Sequence, residues 1–195
     1  MIHIRNPELR DKETWKGLVY RLLYPGILGS MVFDLADPVR IQLQLAKLGL
    51  LFITCGFVID FLHMTVNLKA ERTTAKSHPA LDTAIAFAFA VGYFALAKVT
   101  DERVSIAAYR DYCAMSLSAL CVAYGLVFVY ELWDRSGPAM TRLLPFVFSF
   151  LGLATIVWAR PDGMLAVAAV IATSCVSMAL YLVHVFAVAA PQPDA

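Results

Sequence analysis

Two histidines and an aspartate stand where their surroundings make them costly. Asp60 and His63 fall near the end of the apolar run PVRIQLQLAKLGLLFITCGFVIDFLHMTVNL (38–68), and His184 lies deep in GMLAVAAVIATSCVSMALYLVHVFAVAA (163–190). Ionisable groups inside such runs face protein or water rather than lipid. Asp60, His63 and Asn67 recur at i, i+3, i+7 and so share one helix face. Thr173, Ser177, Tyr181 and His184 recur at i, i+4, i+8, i+11, a polar stripe on an otherwise apolar helix. Lipid offers no hydrogen-bond partner, so polar stripes seek one another. The two runs are therefore expected to pack together and to gather Asp60, His63, Tyr181 and His184. His78 and Asp82 enter from the same side and can join them.

Three chemistries fit such a cluster. A carboxylate with imidazoles can relay protons or pass ions, with Asp60, His63, Tyr181 and His184 lining the path. Alternatively, His63 and His184, from facing helices, can be the axial ligands of one b-type haem. Together with Asp60 they can also hold a divalent metal. Thirdly, an acid and a base can act on a lipid or quinone headgroup. A structural reading stands beside these: Asp60 and His63 form a satisfied pair that fixes helix packing, and His184 bonds to backbone or water at the interface. Neither GxxxxGK[ST], HExxH nor TVGYG occurs. Motifs for a nucleotide-binding P-loop, a zinc hydrolase or a potassium filter are therefore missing, and no catalytic residue is assigned.

The elements that must position these groups follow from composition. The chain is 60% hydrophobic and 16% charged over 195 residues, with mean hydropathy +0.69. A soluble domain is about a quarter charged. The excess of apolar side chain calls for lipid, at about 20 residues per crossing. The expected fold is all-α: about five membrane helices over 37–190, an N-terminal amphipathic interfacial segment over 1–36, and a short tail, 191–195. The net charge of +1 leaves no basic surface for nucleic acid. Cys55, Cys113, Cys121 and Cys175 all fall inside the runs, with no CxxC pair, and read as small interface fillers.

In order, Asn6-Pro7 opens an amphipathic helix. Trp15, Leu18, Val19, Leu22 and Leu23 lie on one side, with Arg10, Lys12, Lys16 and Arg21 opposite. Tyr24-Pro25-Gly26 is expected to stop it. ILGSMVF (27–33) is too short to cross and is expected to re-enter the membrane or fold back against the bundle. The crossings are expected near 43–66, 81–98, 112–130, 143–159 and 164–189. Pro145 falls in the first turn of the fourth, and Arg160-Pro161-Asp162-Gly163 is a tight turn. Trp133 joins an interfacial belt, and Ser136-Gly137-Pro138 forms a turn. Ala114 with Ser118 and Ala119 with Ala123 provide small residues at four-residue spacing, which suits close helix contact and self-association. Asp34 and Asp37 are placed to approach Arg40.

With five crossings, eleven of the sixteen Lys and Arg residues fall on the side of the N-terminus. Positive loops stay in the cytoplasm. That expectation puts the N-terminus inside, the C-terminus outside, and the Asp60 cluster near the outer face of what reads as a cell-membrane protein. The leading expectation is transport-like: permeation of an ion, proton or small solute, possible also for an oligomer. One alternative is a redox or anchor subunit holding haem or quinone through His63 and His184. Another is a partner protein that docks a soluble cytoplasmic protein through residues 1–36. Beyond these, the lipid bilayer is the one partner that composition itself requires.

Overall fold

The computed structural model describes residues 17–36, 44–69, 79–101, 103–134 and 139–189. They form an all-helical membrane bundle. The order is a π-helical turn at Val19–Leu23 leading into α1 (Tyr24–Ala36), then α2 (Gln44–Lys69), α3 (Pro79–Lys98), α4 (Ile106–Asp134), α5 (Ala139–Ala159) and α6 (Gly163–Ala189). Four of these helices contain windows long and apolar enough to cross a membrane: Gln44–His63, Ala80–Lys98, Ile106–Tyr130 and Gly163–Phe186. Leu143–Ala159 in α5 is a shorter apolar helix.

Each long helix sorts its side chains at helical spacing. In α2, Ala46, Leu50, Ile53, Phe57 and Asp60 point inward and are buried, while Leu45, Leu48, Leu51 and Leu62 are about half exposed. The outward leucines suit lipid, and the inward row packs against Ile85, Phe89 and Leu96 of α3 and Val167 and Val170 of α6 in one continuous core. Helices α2 and α6 run parallel, because Asp60 meets Tyr181 and His63 meets His184 at the same sequence offset. Lipid tails are as apolar as leucine, so helix contact here comes from close packing and interhelical hydrogen bonds. Ser116 Oγ donates to the Gly92 carbonyl across α4 and α3 at 2.8 Å.

The helix does not stop at Tyr24-Pro25-Gly26. Residues 17–36 continue through it. Proline removes one helical N–H and crowds the carbonyl four residues back. The wide turn at Val19–Leu23, closed by the Tyr24 N–H on the Val19 carbonyl, lies immediately before Pro25 and loosens that crowding. α1 packs against the bundle. It lies parallel to α3: Tyr20 hydroxyl bonds Asp82, and fourteen residues on, Asp34 takes the Tyr93 hydroxyl at 3.3 Å. Tyr93 also donates to the Met31 carbonyl at 3.0 Å. Asp34 thus meets Tyr93, while Asp37 and Arg40 lie outside the described residues, as do residues 7–16 of the amphipathic segment.

Two boundaries move. The third crossing begins at Ile106, because nothing between Ser105 and Asp134 breaks the helix. Pro145 lies in the interior of α5, which starts at Ala139. Its own carbonyl accepts from Ser177 Oγ of α6 at 3.2 Å, and Ser149 Oγ pairs with the same Ser177 hydroxyl at 3.0 Å. The tight turn between α5 and α6 is present. Arg160 takes the left-handed conformation at φ 46°, and Asp162 Oδ1 caps α6 by accepting from the Leu165 N–H at 2.9 Å. Gly163 is required there: a Cβ would meet the Ile106 carbonyl of α4. Ala119 and Ala123 are buried within the bundle, whereas Ser118 faces outward and bonds the Ala114 carbonyl. Ser136-Gly137-Pro138 lies outside the described residues, and so does the Trp133 side chain.

Candidate functional site

Asp60 is the centre of the site. It is fully buried, three residues before the end of the apolar window Gln44–His63. Both carboxylate oxygens accept hydrogen bonds from phenols of other elements. Tyr181 of α6 donates to Oδ1 at 2.8 Å. Tyr24 of α1 lies 2.8 Å from Oδ2 and 3.2 Å from the Asp82 carbonyl oxygen. Its single proton is thus shared between Asp60 and the α3 backbone. One helical turn earlier, the Tyr20 hydroxyl donates to Asp82 Oδ2. Two buried acids, each from a different helix, are therefore tied to one N-terminal helix by tyrosines spaced i, i+4.

Aromatic rings shape the space around the acids. Tyr24 stacks on Tyr20 (centroids 6.0 Å), Phe57 (5.0 Å) and Phe61 (5.4 Å). Beneath Asp60, Phe57, Phe89, Tyr124 and Tyr181 meet edge to face at 5.4 to 6.1 Å. Gly56, one turn before Asp60, makes this floor possible, because a Cβ would stand 3.0 Å from the Tyr124 hydroxyl. These rings belong to the bundle's core, and the network sits on them at the end where α2 and α6 finish and α3 begins.

His63 and His184 complete the cluster on the side of Asp60 toward the end of α2. Their rings are 6.5 Å apart at 46°, and both are buried. The four residues expected to converge, Asp60, His63, Tyr181 and His184, are thus brought together, and Asp82 joins them. His78 and the side chain of Asn67 lie outside the described residues. The polar stripe of the last helix divides, in contrast to the expectation that all of it faces the first run. Tyr181 and His184 face α2, but Ser177 bonds to α5, and Thr173 packs where a Cβ on Gly152 of α5 would sit. The stripe winds around α6, and two neighbours share it.

Tyr20 and Tyr24 are the participants that sequence reasoning missed. Their i, i+4 spacing is a signal, but Pro25 beside Tyr24 predicts the end of the helix. At the opposite end of the bundle, Asp101 accepts from the Arg103 N–H, and Arg110 approaches Asp111 at 3.7 Å with both side chains well exposed. Such exposed pairs are worth little energy. Among the described residues, no group of three or more His, Cys, Asp or Glu side chains is arranged to hold a metal ion. Fold and site together define a small α-helical membrane protein with a buried acid–tyrosine network at one end. No protein family, curated protein or solved structure matches the chain.

Proposed function

We propose that this is a small transport-like protein of the cell membrane, N-terminus in the cytoplasm, in which Asp60 exchanges a proton as part of ion, proton or small-solute movement. One observation carries the reading: a fully buried carboxylate inside a membrane span, with a phenol donating to each oxygen. Ionisable residues at such depth are expensive and mark pathways and relays. The phenols of Tyr24 and Tyr181 can turn to hand protons to and from Asp60, and Tyr20 extends the chain to Asp82. The imidazoles of His63 and His184 lie beside this network toward the bundle end and can pass a proton on. The test is proton flux in proteoliposomes under an imposed pH gradient. Wild type should acidify or alkalinise the lumen faster than empty vesicles, and Asp60→Asn should lose at least nine-tenths of that rate. Equal rates remove Asp60 from the mechanism.

The histidine pair favours a second reading. The imidazoles of His63 and His184, with ring centroids 6.5 Å apart, are the groups that would each offer a ring nitrogen to one metal atom. If a haem were bound, His63 and His184 would hold its iron and it would supply one-electron chemistry. Purified protein with a Soret band that is lost in His184→Ala supports this reading. A colourless preparation that gains no band on haem addition ends it.

A further inference from the structure

The N-terminal helix decides from which compartment the Asp60 network is reached. A helix lying in the membrane surface keeps all its residues at one depth. Residues 17–36 do not: Tyr20 meets Asp82, and Met31 and Asp34 meet Tyr93. Asp82 and Tyr93 are eleven residues apart on α3, which is about 16 Å along the helix axis. At about 1.5 Å per residue, residues 17–36 extend about 30 Å, close to the thickness of the hydrocarbon layer. Tyr93 is followed within five residues by Lys98, the end of α3, and Ala36 is followed within eight by Gln44, the start of α2 on that same end. The chain therefore enters beside Asp82 and leaves beside Lys98.

We infer that residues 17–36 cross the membrane, giving six crossings, and that the Asp60 network and both chain ends share the cytoplasmic side, so that its proton comes from the cytoplasm. The charge count supplies the sign. A sixth crossing at the start of the chain reverses the side of every later loop relative to the N-terminal arm. The arm (Arg5, Arg10, Lys12, Lys16), Arg21, the α2–α3 connection (Lys69, Arg72, Lys76) and the α4–α5 connection (Arg135, with Arg142 just beyond) then share one side. That side holds ten of the sixteen Lys and Arg residues. The remaining six, Arg40, Lys47, Lys98, Arg103, Arg110 and Arg160, lie at the other. The more basic side stays in the cytoplasm. Both five and six crossings keep the N-terminus inside, but they place the site on opposite faces. This inference deepens the function proposed above, which sets Asp60 to work without settling from where it is served.

The test reads topology alone. Single cysteines are introduced into the full chain as Glu8→Cys, Ser105→Cys and Asp194→Cys, and spheroplasts are treated with a membrane-impermeant maleimide. The wild-type chain, with its four cysteines inside helices, is the background. The expected pattern is labelling of Ser105→Cys from outside, and labelling of Glu8→Cys and Asp194→Cys only after permeabilisation. Labelling of Asp194→Cys from outside while Ser105→Cys is protected gives five crossings and overturns the inference. External labelling of both Glu8→Cys and Asp194→Cys with Ser105→Cys protected keeps six crossings but reverses the side, and overturns it equally. Protease protection of an epitope tag placed after Ala195 answers the same question in the wild-type sequence if a cysteine variant fails to fold. Because no flux is measured, an inactive protein leaves this result intact, and reversed labelling of an active one leaves the role of Asp60 intact.

Discussion

Replacing Tyr181 by Phe should destabilise the bundle by about 1–1.7 kcal/mol through one atom. Tyr181 is buried and its ring sits edge to face with Tyr124 at 5.7 Å. Phenylalanine keeps that ring, so the change is confined to the hydroxyl that donates to Asp60 Oδ1 at 2.8 Å. In a water-soluble protein, a hydrogen bond to a charged group is worth about 1.5–3 kcal/mol. Interhelical bonds in membranes average about 0.6 and reach about 1.7 kcal/mol, because helices separated within lipid find other partners. Full burial and a carboxylate acceptor place this bond toward the upper end. The assay is unfolding of purified protein in mixed micelles by added SDS, followed by loss of helical circular dichroism. The decisive measurement is a double-mutant cycle. In Asp60→Asn the acceptor carries no formal charge, and the cost of Tyr181→Phe should fall by at least half. An equal cost in both backgrounds would mean that the phenol stabilises the fold by some route other than Asp60, and the network described here would be wrong at its centre.

The turn between α5 and α6 offers two further tests by the same unfolding assay. Gly163→Ala drives a Cβ into the Ile106 carbonyl and against Tyr109. Backbone cannot retreat as a side-chain tip can, so a loss of about 1–3 kcal/mol is expected; a neutral result would show that the start of α6 does not touch α4. Asp162→Ala removes the cap on the Leu165 N–H and should cost about 0.5–2 kcal/mol. Asp162→Asn, which caps about as well, should recover most of it, and a failure to recover would assign the loss to charge instead.

Much of this molecule was legible because lipid imposes simple rules. Apolar runs of about 20 residues had to be helices, and polar residues inside them had to face protein. From these two rules the meeting of Asp60 and His63 with Tyr181 and His184 followed without knowledge of any loop. The rules are weaker on helix interiors that touch several neighbours. Ser177 and Thr173 share the spacing of Tyr181 and His184, yet they turn to α5. A stripe recurring every four residues drifts around a helix with 3.6 residues per turn, so its two halves meet different partners.

Tyr20 and Tyr24 show the other limit. A crossing is recognised in sequence by apolar length because most of its surface meets lipid. The helix over 17–36 exposes Leu18, Leu22, Val32 and Phe33, but it also exposes Arg21, Pro25, Gly26, Gly29 and Ser30, so its outward side is not a continuous apolar stripe. Its inner side needs to suit only the bundle, and it carries phenols and an acid that hydropathy counts against it. Proline and glycine lower its helix propensity further, and tertiary contacts from α2 and α3 override them. The segment with the least membrane-like sequence is thus the one that brings donors to both buried acids. Through Tyr20 and Tyr24 it is the element on which the proposed cytoplasmic access to Asp60 rests.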